Sequence, residues 1–429
     1  MTGDLNVVHA AQLARVRDRG GPRRGAEQGV LDLVADGAVA VRDGLIVAAG
    51  STAEVLRDWD DGSPTLDASG RTVLPGLVEC HSHPLFAGER HAEYAERLGG
   101  ASLADVARRG GGIWASVVAT RAAADDELLD RLGPAYAAVL GGGATTLEVK
   151  SGYGLTAAQE LRQLELLRRS RALTPLEIVI SFLGAHVVPA GLDAERYTAE
   201  VLDMLPQVVE QGIAAFHDIS IERGLFSPSQ AARLFAASRR LGLPTRAHAD
   251  AWAPSGGWST AVAGGATAAE HLTYTPDDEI AATSGADTVA VLLPMAELVY
   301  MTDRRANARL FVERDVPLAV ATDYCSSIHA TSLVATMGLA APWYRLTPAE
   351  VVVAATLNAA CALGLGASRG SVDVGKRGDL TVLSVAHPEE LFLAAGQGVV
   401  SDVVVGGRVV WSADAGVPRP RSRDGVAGA

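Results

Sequence analysis

The sequence predicts an α/β protein: a (β/α)8 TIM barrel with a small composite β-sandwich domain formed from the N- and C-terminal segments. Three observations carry that expectation. Between about residue 73 and residue 366, short apolar strands alternate with longer helical patterns, which is the pattern of a parallel sheet wound with helices. Both ends of the chain are instead rich in short β segments broken by polar turns. The stretch Val73-Leu-Pro-Gly-Leu-Val-Glu-Cys-His81-Ser-His83 runs from an apolar strand into two histidines one residue apart, which strand alternation projects from one face. The expected boundaries are 1–72 and 367–429 for the two parts of the β domain and 73–366 for the barrel.

In chain order, Gly29 to Ala40 and Gly44 to Gly50 read as small strands, with Asp36-Gly37 and Asp43-Gly44 as turn signals. Arg15 to Arg24, rich in Gly, Pro and Arg, reads as a surface loop. Eight barrel strands are then expected: Thr72 to Val78, Thr145 to Val149, Glu177 to Leu183, Ile213 to Ile219, Pro244 to Ala247, Ala266 to Ala269, Thr288 to Leu293 and Val316 to Ala321. Apolar residues at three- and four-residue spacing mark helices between them, as over Ala157 to Arg171 and Ser229 to Leu241. Gly378 to Val385 and Asp402 to Trp411 return to short strands.

Bulk properties narrow the function. A net charge of -13 with no long Lys/Arg run argues against nucleic acid or an acidic membrane as partner and leaves a small molecule. No stretch of about twenty apolar residues runs uninterrupted, and Met1 to Ala14 lacks a basic region followed by an apolar one, so a cytoplasmic protein is expected. Three scattered cysteines, Cys80, Cys325 and Cys361, fit a reducing compartment better than a disulfide framework.

Catalytic groups of such barrels sit at the C-terminal ends of the strands. Here those ends carry His81 and His83, Lys150 to Tyr153, His186, His217-Asp218, His248-Ala-Asp250, Glu270-His271 and Asp323; only Pro294, after the seventh strand, breaks the series. A His-x-His pair alone also reads as polar residues where a strand leaves the core. Together, however, His81, His83, His248 and Asp323 supply imidazole and carboxylate donors from separate rigid elements, as a catalytic metal requires. Zn²⁺ is the first choice, and Fe or Mn remains open to a mixed set of this kind.

These features, with Ala321-Thr-Asp323 and the composite β domain, resemble the amidohydrolase superfamily. Within it, Arg108-Arg-Gly-Gly-Gly-Ile113, Glu148-Val-Lys-Ser-Gly-Tyr-Gly154, Phe182-Leu-Gly-Ala-His186 and Val291-Leu-Leu-Pro294 are similar to the imidazolonepropionase branch, over about residues 30 to 410. The resemblance implies metal ligands His81, His83, His248 and Asp323, with Arg90, Tyr153 and His186 at the substrate and a cationic partner for its carboxylate. It implies hydrolysis of a C–N bond in a cyclic amide or amidine, with Asp323 taking a proton from water and His271 steadying the oxyanion. The expected partner is a small heterocycle with a carboxylate, and the expected assembly a homodimer. Two departures point to a changed ring: Ala251 stands where that branch carries a Glu assigned to proton handling, and Tyr324-Cys-Ser-Ser327 replaces its Asn-Pro-Gly-Ser type loop.

Alternatives stay open: imidazolonepropionase chemistry with a relocated proton donor, a deaminase or desulfurising hydrolase of a related ring, or a non-catalytic metal-bearing scaffold. The leaving nitrogen lacks an obvious donor; Asp250, His186 and water are the candidates. Cys325 is read as contacting substrate, as a nucleophile or as packing, and Lys150 as a supporting group or a carbamylated bridge. Gly110 to Gly112 allows close backbone approach to a ligand, and Trp252 and Trp258 either wall the pocket or pack. His217-Asp218 reads as local polar structure near the barrel mouth.

Overall fold

The computed structural model of the chain describes residues 3–394 and 396–415. Strands β1 (Leu5–Ala14), β2 (Leu33–Arg42), β3 (Leu45–Ser51), β4 (Thr65–Asp67) and β5 (Thr72–Pro75) come first. The middle holds β6 (Leu77–Glu79), β7 (Ala144–Lys150), β8 (Glu177–Ala185), β9 (Phe216–Ile221), β10 (Thr245–Ala249), β11 (Ala268–His271), β12 (Val289–Leu292) and β13 (Leu318–Val320). The chain closes with β14 (Leu380–Leu383), β15 (Val400–Val405) and β16 (Arg408–Ser412).

The terminal strands build one mixed sheet in the order β16-β15-β14-β5-β1-β2-β3, with β4 beside β1. Its two halves meet at the antiparallel β5–β14 pair, and Leu13, Val39, Val73, Val382 and Val404 share a buried core across that seam. The composite β domain therefore needs both ends of the chain. Asp43-Gly44 is the expected hairpin turn, with positive φ at both residues between the paired Arg42 and Leu45. Asp36-Gly37 is not a turn; it lies inside β2, where the β1–β2 register slips between Val7 and Ala10. The extra residue of that bulge belongs to β1, where Val8 and His9 stand opposite Ala38 and His9 has positive φ, while Asp36-Gly37 stays in regular register with β1. Arg15 to Arg24 is likewise no simple surface loop: Val16 and Arg23 are buried, and the Arg23 N–H donates to Asn358 at 2.8 Å.

The middle strands β6 to β13 pair in parallel and in chain order, giving the expected barrel. The predicted Thr72–Val78 strand divides at Pro75-Gly76, so β5 joins the terminal sheet and β6 the barrel. Gly76 is required at the crossing, because a Cβ there would lie 2.2 Å from Thr145 Oγ1. The mouth closes by a Ser82–Tyr324 bridge, with the His83 N–H donating to the Tyr324 carbonyl at 2.7 Å. Strands β9, β10 and β11 run about two residues further than the apolar runs announce, so His248 and His271 are the ends of strands rather than the loops after them. Inward-facing polar residues near a barrel mouth truncate the apolar signal without ending the strand. Among the described residues, no helix is long and apolar enough to cross a membrane.

Candidate metal centre and substrate cavity

Alternation carries Glu79, His81 and His83 inward from β6, and Arg246 and His248 from β10. His83 Nε2 lies 3.2 Å from His81 Nε2 and 3.3 Å from His248 Nε2. Asp323 Oδ1 lies 3.4 Å from His81 Nε2 and 3.7 Å from His83 Nε2. Ligands at ~2.0–2.1 Å from a tetrahedral ion sit about 3.3–3.4 Å apart, and these four separations are close to such an edge; His81, His83 and Asp323 form one group within 4.8 Å, and His83 and His248 share another with His186. Burial pushes His81 and His83 well below the ordinary histidine range, leaving neutral rings with lone pairs to give. His248 Nδ1 is 3.0 Å from Asp218 Oδ1; donating there fixes the tautomer and leaves Nε2 free for the site. His271 also reaches the cluster, since His81, His248 and His271 offer atoms within 4.8 Å of one another.

Beneath the cluster lies a buried ionic layer. Lys150 Nζ is 2.7 Å from both Glu148 Oε1 and Asp218 Oδ2, and Arg246 donates to Glu270 at 2.5 Å and 2.7 Å and to the Cys80 carbonyl at 2.6 Å. Two cations thus face Glu148, Asp218, Glu270 and Asp323, all buried. Burial pushes Glu270 well above the usual carboxylate range and Asp323 up to about 8. A bound divalent cation would supply the positive charge that otherwise comes from protons. Burial alone would lower Lys150, yet Asp218, Glu148 and Glu270 hold its ammonium above the ordinary lysine range, which argues against a carbamylated bridge. The His217-Asp218 pair divides between faces: His217 Nδ1 turns outward to Ser238 Oγ at 2.7 Å while Asp218 supports His248.

The cluster opens into a cavity of about 250 Å³ that includes Arg90, Tyr153, His186 and Cys325 on its walls. Arg90 Nε donates to Glu93 at 2.8 Å, and the other Glu93 oxygen accepts from the Gly112 N–H at 3.0 Å, so the glycine loop and the arginine are held together. His186 Nδ1 must donate to the Gly152 carbonyl, 3.0 Å away, and burial holds this ring down to about 3, so Nε2 is an acceptor. Cys325 is a wall and not a ready nucleophile, because burial pushes its thiol up to about 12. Trp252 walls the cavity against Tyr300, with ring centroids 4.7 Å apart, whereas Trp258 is fully buried against Phe311 and donates to Thr283. Asp250 is spent on structure: it accepts from Ser255 N–H and Oγ, the Trp258 N–H and Thr275 Oγ1. Asp250, His271 and Asp323 all have positive φ, placing local backbone strain at the barrel mouth.

Sequence reasoning quoted Glu79, Glu148 and Glu270 within motifs without a role in supporting the centre, and missed Arg246 and, above all, Glu222. Glu222 directly follows β9, lines the cavity and accepts from the Ala251 N–H at 2.5 Å. Its signal was the alternation Asp218-x-Ser220-x-Glu222, hidden because the apolar run ends at Ile219.

A sequence model of the amidohydrolase family matches residues 72–410. The imidazolonepropionase of Symbiobacterium thermophilum is 41% identical over 415 residues, 95% of this chain and 97% of that protein. The imidazolonepropionase of a Bradyrhizobium species is 41% identical over 395 residues, 91% of this chain and 95% of that protein. Among solved structures, an adenosine deaminase from Xanthomonas campestris with bound zinc superposes with a TM-score of 0.68 at 20% identity, covering 95% of this chain and 92% of that one. The atrazine chlorohydrolase of Arthrobacter aurescens complexed with zinc gives 0.72 at 16% identity, over 98% and 97% of the two chains. These two likenesses are of fold.

Proposed function

The chain belongs to the amidohydrolase family and is a metal-dependent hydrolase of C–N bonds, and on that premise we propose that it opens a five-membered cyclic amide or amidine carrying a carboxylate, with a ring modified from plain 4-imidazolone-5-propionate. Zinc is the metal assigned, with His81, His83, His248 and Asp323 as its ligands; Fe and Mn remain chemically compatible. The observation that carries this assignment is the set of donor separations from 3.2 to 3.7 Å, close to the edges of a single tetrahedral site. Bound there, the ion supplies a water that is acidic near neutral pH.

The protein's own groups do the rest. Asp323 takes the proton of the attacking water, and an N–H of neutral His271 steadies the oxygen that gains charge at the ring carbon. Arg90, partly neutralised by Glu93, meets the carboxylate of the substrate, and Tyr153 and Cys325 bound the same end of the cavity. His186 Nε2 accepts from a ring N–H. The active barrel spans about 77 to 366, the protein acts in the cytoplasm, and it assembles as a homodimer.

A modified ring is supported by Ala251 and by the Tyr324–Ser327 segment, both at the cavity, where Ser326 Oγ lies 2.7 Å from Ser116 Oγ and Tyr300 OH 2.8 Å from Ser327 Oγ. A second reading, plain 4-imidazolone-5-propionate as substrate, is favoured by 41% identity to imidazolonepropionases over nearly the full chain. Turnover of 4-imidazolone-5-propionate and of hydantoin-5-propionate by zinc-loaded protein separates the two, with Asp323→Ala as the control for contaminating enzyme. A preference for the plain imidazolone of a hundredfold or more would sink the modified ring. Failure of both rings, with about one metal ion bound per chain, would sink the carboxylate-bearing imidazolone class altogether.

A further inference from the structure

Hydrolytic ring opening leaves a nitrogen that needs a proton, and most groups near the cavity cannot give one. The Asp250 carboxylate is occupied by five donors, His186 is neutral with its N–H turned to Gly152, and Ala251 presents only a methyl. Glu222 remains. It extends the inward face of β9 beyond Asp218 and Ser220, is 4% exposed, and shares the cavity with His248, His271 and Asp323. Its Oε1 takes the Ala251 N–H at 2.5 Å, whereas Oε2 has only the Trp252 N–H at 3.4 Å and is the oxygen left to carry a proton.

We propose that Glu222 is the general acid that protonates the leaving nitrogen. This rests on the C–N hydrolysis assigned above. The water oxygen bonds to the ring carbon and gives one proton to Asp323. The C–N bond then breaks, its electron pair stays on nitrogen, and nitrogen takes the proton of Glu222. The proton held by Asp323 returns through solvent to the Glu222 carboxylate, so one water is consumed and both carboxyls end as they began. Burial, reinforced by the charge of Asp250, pushes Glu222 up to about 8, so it holds its proton at neutral pH as an acid must. The charged group that acts on Glu222 directly is Asp250; Arg223 follows it in the chain, and the cavity it lines also holds His83, Arg90, Tyr153, His186, His248, His271, Tyr300, Asp323 and Cys325.

The test is Glu222→Gln, which keeps an oxygen for the Ala251 N–H but has no acid proton. With hydantoin-5-propionate or 4-imidazolone-5-propionate, whichever the wild type opens faster, kcat should fall about 10²- to 10⁴-fold with KM changed only a few-fold. The decline of kcat above about pH 8 should vanish, and Glu222→Asp should recover part of the rate. A Gln variant with wild-type kcat overturns the proposal. A readout independent of substrate is the carboxyl NMR of protein carrying ¹³C-labelled glutamate: one resonance absent from the Gln variant should titrate near pH 8. Titration of that resonance at the ordinary carboxylate range, about 4.3, overturns the proposal even if both rings are hydrolysed. If neither ring is opened, the substrate reading fails and the titration still decides Glu222.

Discussion

Ala251 and Lys150 show what single side chains decide here. Restoring a carboxyl by Ala251→Glu would set it beside Glu222, which already accepts from the Ala251 backbone, and two carboxyls in one dry site repel. Less than a twofold gain in ring opening is expected by steady-state kinetics; a tenfold gain would mean that Glu222 does not fill the need. Lys150→Met would strip Asp218 and Glu148 of their shared cation, and breaking a buried pair of this kind costs about 3–5 kcal/mol. Urea unfolding checks it, and a loss under about 1 kcal/mol would show that the ionic layer is held by other means. The clustered histidines and Asp323 were legible in the sequence because alternation and strand ends give them a pattern. The inward roles of Arg246 and Glu148 were not, because a single charge in a strand looks the same whether it faces solvent, a helix or the barrel axis, and Glu222 lies beyond the apolar run that marks its strand.

At the level of strands and turns, Pro75-Gly76 does the most. It lets one apolar run serve two sheets, and a Cβ on residue 76 would also sit 2.7 Å from Thr145 Cγ2. Gly76→Ala should therefore cost about 1–3 kcal/mol through overpacking, read as an earlier unfolding midpoint in urea. An unchanged midpoint would mean that the two sheets slide apart easily. Strand existence and order were readable from the alternation of apolar runs, while strand ends were not. The polar tips of β9 to β11 face the cavity and not the apolar core, and periodicity has no way to separate such a tip from a loop. In the same way β1, ten residues with no turn signal at its start, was not singled out, although it is the partner that holds Asp36-Gly37 inside a strand.

Across the fold, buried acids and the metal site act together. Glu79, Glu222 and Asp323 are all pushed up to about 8 by burial, so in each the protonated form is favoured by folding. The stability they contribute is complete at acid pH below the unfolded carboxylate range and is lost as pH rises through about 8. The metal-free protein should accordingly melt at lower temperature at pH 9 than at pH 6, whereas zinc should raise the melting point by mass action and release protons on binding at pH 7. A metal-free protein that melts at the same temperature across that range would contradict the burial of these acids. The division of labour between barrel and termini is legible in the order of strand and helix patterns, because regular alternation of the two runs through the middle of the chain, although one helix, Thr52–Trp59, also lies in the N-terminal part. The seam between β5 and β14 joins segments more than 300 residues apart, and no local pattern names that pairing. The most direct measurement is X-ray absorption on zinc-loaded protein, with metal content determined on the same sample. One zinc per chain, with about three imidazole nitrogens and one or more carboxylate or water oxygens at ~2.0–2.1 Å, is expected, and His83→Ala should lose both the ion and the signal. A shell without imidazole, or full zinc content in the His83 variant, would contradict a hydrolytic centre built on His81, His83, His248 and Asp323.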